Sequence, residues 1–301
     1  MTLKEAWELY RSYLQAKNRA PRTISQYEES LRYWLNDWMD KPLVSITRTK
    51  AHERHVKLTK ENGSFAANMA MKILRAIWNR SRRQYPSLPE APTANVDFHF
   101  EGPRLLDGQA PIIPYELLPK WYQAVMQTDN PIRRDLFLFL LFTGTRSEEC
   151  RSLKWKQVDL KDATVHFPVT KTKPFTLPLS DYLIEILERR RACNVTRVHF
   201  GDSEYVFPGH TETGYAAVPL LHGDELKRHP LRWTPHVLRH TYVTISENYA
   251  TIPSHHARLL VNHASLKGDV HNRYNHASLG NLRQSQQAVT DALKSACGIA
   301  A

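Results

Sequence analysis

Apolar positions recur every three to four residues through most of this chain and alternate in only one short region. From Thr2 to Lys17 they fall at Leu3, Ala6, Trp7, Tyr10 and Leu14, one face of a helix, and Thr2 and Glu5 have the spacing of a capping box. A second helix is predicted over Thr23–Trp38. Pro21 stands just ahead of it, Thr23 and Gln26 are its cap candidates, and Ile24, Tyr27, Leu31, Trp34 and Trp38 form its stripe. A weaker helix over 47–58 and a fourth over Ser64–Arg83 follow. The fourth puts Ala66, Ala70, Ile73 and Ile77 on one side and Lys72, Arg75, Asn79 and Arg82 on another. Residues 1–84 thus read as a small all-helical domain.

Over 85–113 the period is lost. Pro86, Pro89, Pro92, Pro103 and Pro111 interrupt any helix and Gly102 and Gly108 loosen it, so a semi-extended linker is expected there. A second domain, 114–301, opens with a helix near Tyr115–Gln127. The run Leu136–Phe142 is apolar all round and predicts a helix at the centre of a core. It stops at Thr143-Gly144-Thr145, and a new helix is expected to start at Arg146, with Glu149 one turn on. Three short strands are predicted at 160–167, 169–170 and 175–179, with a lysine-bearing hairpin turn, Lys171-Thr-Lys-Pro174, between the last two. Helices follow over 181–192, from the octet Thr234–Thr241 onward, over 254–261, and over 281–297 with Asn281 as its cap. The last has a thin apolar stripe of Leu282, Val289, Leu293 and Ala296, suited to docking on its own domain or on a neighbour. The fold class expected is mainly α with a small antiparallel sheet.

Charge adds a partner to this outline. Residues 1–83 hold 7 Lys and 10 Arg against 8 Asp and Glu, a net +9 in a chain whose total is +11 and whose pI is about 9.5. Concentrated positive charge on a helical module suits a nucleic-acid backbone ahead of a membrane, with Lys72, Arg75, Asn79 and Arg82 as the candidate DNA-binding face; the bland alternative is a solvated basic surface. Three widely spaced cysteines, Cys150, Cys193 and Cys297, point to a reducing compartment without a disulfide framework or a Cys-based zinc site. No apolar run reaches membrane-spanning length and Met1-Thr-Leu-Lys-Glu is not a signal peptide, so a cytoplasmic, nucleoid-associated protein is expected.

The octet contains the first candidate chemistry. His236, Arg239 and His240 at i, i+3 and i+4 share one helix face, pairing a proton-transfer group with a fixed cation. Other segments add Arg146, Lys171, His263 and Tyr274. Two arginines, Arg146 and Arg239, can clamp the non-bridging oxygens of a phosphodiester; Tyr274 can form a phosphoester; His236 can take the phenol proton. The 15 histidines, the His255–His256 pair and the i, i+4 spacing of His236 and His240 raise a metal site, but no H-E-x-x-H pattern or Cys partner accompanies them. No metal and no cofactor is therefore expected.

The order of these residues resembles the tyrosine recombinase (phage integrase) family. The resemblance rests on Leu141-Phe-Thr-Gly-Thr-Arg-Ser-Glu-Glu149, Leu153-Lys-Trp-Lys-Gln-Val-Asp159, Thr170-Lys-Thr-Lys173, His236-Val-Leu-Arg-His-Thr241, and Leu260-Val-Asn-His263 followed by Tyr274. It covers nearly the whole chain, since residues 1–83 also look like the family's helical, SAM-like core-binding domain, ahead of an α+β catalytic domain. It implies site-specific recombination through a covalent 3′-phosphotyrosine, without metal. It assigns Lys171 as the acid for the departing 5′ oxygen, with Lys173 a nearby rival that the sequence leaves open. It gives His263 a bond to the phosphate and Glu149 a supporting role. It implies two domains clamping specific double-stranded DNA sites, a homotetramer exchanging its C-terminal helices, and accessory DNA-bending proteins. A DNA-binding accessory that does not cut, and a type IB topoisomerase-like relaxing enzyme, are the alternatives.

Two departures stand out. Asn262 occupies the position where the family usually has glycine, and 11 residues separate His263 from Tyr274. The arm-DNA-binding domain of lambda-type members has no counterpart ahead of residue 1, as expected of a simpler recombinase or of a shortened chain.

Overall fold

Thr2 opens the first helix as its spacing to Glu5 requires. The computed structural model describes residues 1–94, 112–170, 173–196, 201–229, 232–263 and 277–300. In it the Thr2 hydroxyl accepts from the Glu5 N–H at 3.2 Å, and the Glu5 carboxylate accepts from the Thr2 N–H at 2.8 Å. The chain divides into two compact units, Met1–Gly108 and Gln109–Ala301.

The first unit holds α1 (Leu3–Ala16), α2 (Pro21–Trp34) and α3 (Arg48–Gln84). α2 differs from its expected span. Pro21, whose fixed φ suits a first turn, begins it, so Thr23 and Gln26 are not its caps. It ends at Trp34, and a single 3-10 turn at Asn36–Trp38 carries Trp38 into the core. The two predicted helices at 47–58 and 64–83 form one element, broken only at Gly63 with φ +84°. Ala66, Ala70, Ile73 and Ile77 are buried as their period predicts. The described part of the proline-rich stretch, 85–94, lies along α3. Trp78 Nε1 donates to the Pro89 carbonyl at 2.8 Å, and the Arg75 guanidinium donates to the Thr93 carbonyl. Leu88, Ala91 and Thr93 are buried.

The second unit is built around α5 (Pro131–Thr143), whose residues Leu136–Phe142 are all buried. Asn130 caps α5 by accepting from the Ile132 and Arg133 amides, and Pro131 is its first residue. Around α5 lie α4 (Leu118–Met126), α6 (Ser147–Arg151), α7 (Asp181–Thr196), α9 (Pro235–Asn248) and α11 (Leu279–Cys297); α8 (Glu225–Arg228) and α10 (Ser254–Leu260) complete the helices.

A three-stranded antiparallel sheet, ordered β1 (Val158–Asp159), β2 (Thr164–Phe167), β3 (Phe175–Pro178), pairs Val165 with Leu177 and Phe167 with Phe175. Residues 169–170, expected as a strand, are not one. Val169 is 84% exposed, and a strand there would have nothing to bury. Residues 160–163, expected within a strand, form instead the turn between β1 and β2. The Asp159 carboxylate accepts from the Asp162 amide at 2.9 Å in that turn.

α11 is capped by Ser278, whose Oγ accepts from the Asn281 amide at 3.2 Å; Asn281 is not the cap. The helix docks on its own unit through Val289, Leu293 and Ala296 and through a buried polar set. Gln286 accepts from the Tyr242 hydroxyl at 2.8 Å and donates to the Phe142 carbonyl at 2.9 Å. Thr290 donates to Ser180 at 2.8 Å. Among the described residues no helix is long and apolar enough to cross a membrane.

Candidate active site

α9 begins where Thr234 caps it by accepting from the Val237 amide, with Pro235 as its first residue. Val237, Leu238, Tyr242 and Ile245 bury one side of it, and Arg239 is drawn inward with them to 4% exposure. Two main-chain carbonyls hold its guanidinium: Nη1 donates to Gly144 O at 2.6 Å and Nη2 to Val261 O at 2.7 Å. Gly144 is the left-handed C-cap of α5, with φ +59°, and Val261 is the C-cap of α10. A guanidinium has five N–H donors, so these bonds orient it and leave others to meet an anion.

The Arg239 pKa is pushed down to about 10, first by burial and then by the charge of Arg146. Arg146 is the N-cap of α6 rather than a residue of its first turn. Its Nη1 donates to Glu149 Oε1 at 3.0 Å, and its amide donates to Glu149 Oε2 at 3.2 Å, the pairing expected from their spacing. Two arginine charges thus act on each other; Arg146 is ion-paired with Glu149, whose charge also offsets part of the repulsion at Arg239.

Histidines complete the cluster. The ring of His263 has its pKa lowered by burial and then by Arg239, Arg146, His240 and Arg258. His236 is exposed in the first turn of α9, and its ring meets that of His240 edge-on at 4.4 Å between centroids. His240 has its own pKa lowered by burial and then by His236 and Arg239. It belongs electrostatically with Arg239 and His236, whose helix face it shares by spacing, although it is not among the expected catalytic residues.

A pH dependence follows. His229, pushed down to about 4 by burial, and His240, His256 and His263, also lowered, take up protons less readily in the fold than in the unfolded chain, where imidazoles protonate near ~6.5. The unfolded state therefore binds more protons as pH falls from about 6.5 towards 4, and stability is lost in that window. Thermal melting followed from pH 7.5 to 5 should show a falling Tm; a Tm flat across that range would contradict the burial of these rings.

Of the other expected site residues, Lys171 and Tyr274 lie outside the described residues. The Lys173 carbonyl accepts from Asn262 Nδ2 at 3.0 Å and from the Thr170 hydroxyl at 2.7 Å. On α3 of the first unit, Lys72, Asn79 and Arg82 are exposed, while Arg75 is half-buried and engaged with Thr93. Among the described residues no group of three or more His, Cys, Asp and Glu is placed to hold a metal ion. Sequence reasoning missed the roles of Gly144 and Val261 because both act through carbonyls. A cluster of two arginines and adjacent imidazoles can bind a phosphate oxyanion and exchange protons beside it.

The phage integrase family model matches residues 116–279. The prophage integrase IntF of Escherichia coli (strain K12) is 24% identical over 212 residues, which are 62% of this chain and 45% of the relative, so the match spans less than half of IntF. A lambda integrase dimer bound to a COC′ core site superposes with a TM-score of 0.68 at 17% identity, over 88% of this chain and 96% of that one. A lambda integrase tetramer bound to a Holliday junction gives 0.68 at 18% identity, over 89% and 79%.

Proposed function

Because this chain belongs to the phage integrase family, we propose that it is a site-specific DNA recombinase that cleaves and rejoins strands through a 3′-phosphotyrosine. The observation that carries this most directly is the buried Arg239 guanidinium, aimed by two main-chain carbonyls and repelled by a neighbouring arginine. Two carbonyls satisfy only part of the guanidinium, so it keeps N–H donors for an anion, and a phosphodiester is such an anion.

In this scheme Arg146 and Arg239 hold the non-bridging oxygens, which gain charge as attack proceeds. Glu149 keeps Arg146 oriented. The Tyr274 oxygen bonds to phosphorus and its proton passes to His236. The P–O5′ bond breaks, and Lys171, or its neighbour Lys173, protonates the departing oxygen. His263 adds a bond to the phosphate. The protein itself supplies every proton and charge in the scheme, so no cofactor is needed. Exposed Lys72, Asn79 and Arg82 would meet DNA, with Arg75 serving mainly to hold the 85–94 stretch. Lambda integrase has been seen as a dimer on a core site and as a tetramer on a Holliday junction. We propose a homotetramer on paired double-stranded sites for this chain as well, in the cytoplasm with the nucleoid.

The test uses duplexes selected for binding from a random pool and then nicked to trap covalent product. The expected result is an adduct whose phosphopeptide carries Tyr274. An adduct at another residue would reassign the nucleophile. DNA binding without adduct would support a silent accessory protein, and sequence-independent relaxation of supercoils a topoisomerase-like enzyme.

A further inference from the structure

The Asn262 side chain has no part in the scheme above, yet it is 5% exposed and bonded across the fold. Its Nδ2 donates to Thr170 Oγ1 at 3.1 Å and to the Lys173 carbonyl at 3.0 Å. The Thr170 hydroxyl in turn donates to the same Lys173 carbonyl at 2.7 Å. Both partners belong to the connection between β2 and β3, about ninety positions away in sequence. This is the segment singled out for its lysines.

The backbone at Asn262 explains why this residue type suits the position. Its φ is +48°, the left-handed region that asparagine and glycine enter most readily. Glycine would satisfy the backbone equally well but would contribute no amide. The residues on either side matter as much. Val261 O holds Arg239, and His263 carries the ring beside both arginines. One tripeptide therefore contacts the arginine that would hold phosphate, supplies the histidine, and grips the lysine-bearing hairpin.

We propose that Asn262 is a positioning residue for protonation of the leaving oxygen. It fixes Thr170 and Lys173, the described ends of the lysine-bearing segment, relative to the phosphate held by Arg239 and His263. The inference rests on the strand-transfer reading above. During cleavage the P–O5′ bond breaks, its electron pair stays on O5′, and a lysine ammonium of that segment supplies the proton that makes the 5′ hydroxyl. The flanking strands, of four residues each, restrain the segment between them weakly. Two hydrogen bonds from the buried Asn262 side-chain amide narrow its range, and a misplacement of about 1 Å is enough to cost roughly 10²-fold in rate.

Asn262→Gly keeps the backbone and deletes the amide, so it isolates the effect. Single-turnover adduct formation is compared on two nicked duplexes, one with an ordinary scissile phosphodiester and one with a 5′-bridging sulfur. A thiolate leaves without needing the proton. The variant should be slowed about 10²-fold on the oxygen substrate and should match wild type on the sulfur substrate, with unchanged DNA affinity and melting temperature. Thr170→Val should show the same pattern and serves if Asn262→Gly does not fold; Thr170→Ser should restore the rate. Equal slowing on both substrates, or no slowing, overturns the role of Asn262 alone. A wild-type protein that forms no adduct on either duplex overturns the recombinase reading and this inference with it.

Discussion

Arg239→Lys should lower covalent strand cleavage by at least about 10³-fold while leaving the protein folded. A lysine ammonium is a single point with three donors and cannot span Gly144 O, Val261 O and a phosphate together, as the planar fork can. Loss of one oriented donor to a developing oxyanion is worth roughly 10²–10³, and here a bidentate clamp goes. The fold is a separate matter. Holding the charge inside the protein lowers the Arg239 pKa from 12.5 to about 10, an unfavourable contribution of about 3 kcal/mol. Its two charge-assisted hydrogen bonds return roughly 1.5–3 kcal/mol each. Together they return roughly 3–6 kcal/mol, so the net contribution of the buried arginine to stability is about 0–3 kcal/mol. Arg239→Met should therefore also fold, with a Tm lower by no more than roughly 10 °C, and should be inactive. Measuring adduct formation and melting on both variants checks this. Cleavage by Arg239→Met within tenfold of wild type would remove Arg239 from the mechanism.

Gly144→Ala should damage fold and site together. A Cβ there would lie 2.5 Å from Tyr242 Cδ1, 2.8 Å from Tyr242 Cγ and 3.0 Å from Val261 Cγ1. The Tyr242 ring cannot yield easily, being fully buried with its hydroxyl tied to Gln286. The left-handed backbone adds roughly 1–2 kcal/mol and the overpacking roughly 1–3 kcal/mol, so a loss of about 2–5 kcal/mol is expected. That corresponds to a Tm lower by roughly 5–15 °C. Relief of the clash must move the carbonyl that orients Arg239 or the residue that carries its other acceptor, so cleavage should fall in step. Gly63→Ala is the control: its φ is +84° but nothing lies within 4 Å of the added methyl. Equal melting of Gly144→Ala and wild type would show that the α5 terminus is softer than this packing implies.

What could be read from the residues alone was mostly local. The Thr2–Glu5 cap, the buried run of α5 and the Arg146–Glu149 pair each depend on neighbours within four positions, and each stands as expected. Errors arose where a distant partner decides. Trp34 ends α2 because Trp38 is buried through a 3-10 turn, and the stripe alone cannot separate that from another helical turn. Val169 has a strand-forming side chain but is exposed, and Thr170 is held by hydroxyl bonds to Lys173 and Asn262 rather than by a strand. Arg239 was legible as a candidate. Its anchors, 95 and 22 positions away, were not. Asn262 was visible only as a departure from a pattern, and its bonds to the hairpin depend on the tertiary fold.

Those anchors also bear on how such a chain can change over time. Gly144 and Val261 grip Arg239 through atoms that every amino acid possesses, so substitution at Val261 leaves the acceptor in place as long as the backbone keeps its path. Inheritance of the grip then follows the route of the main chain rather than the letters along it. A guanidinium held this way can outlast extensive sequence drift, whereas one held by a carboxylate is lost with a single codon.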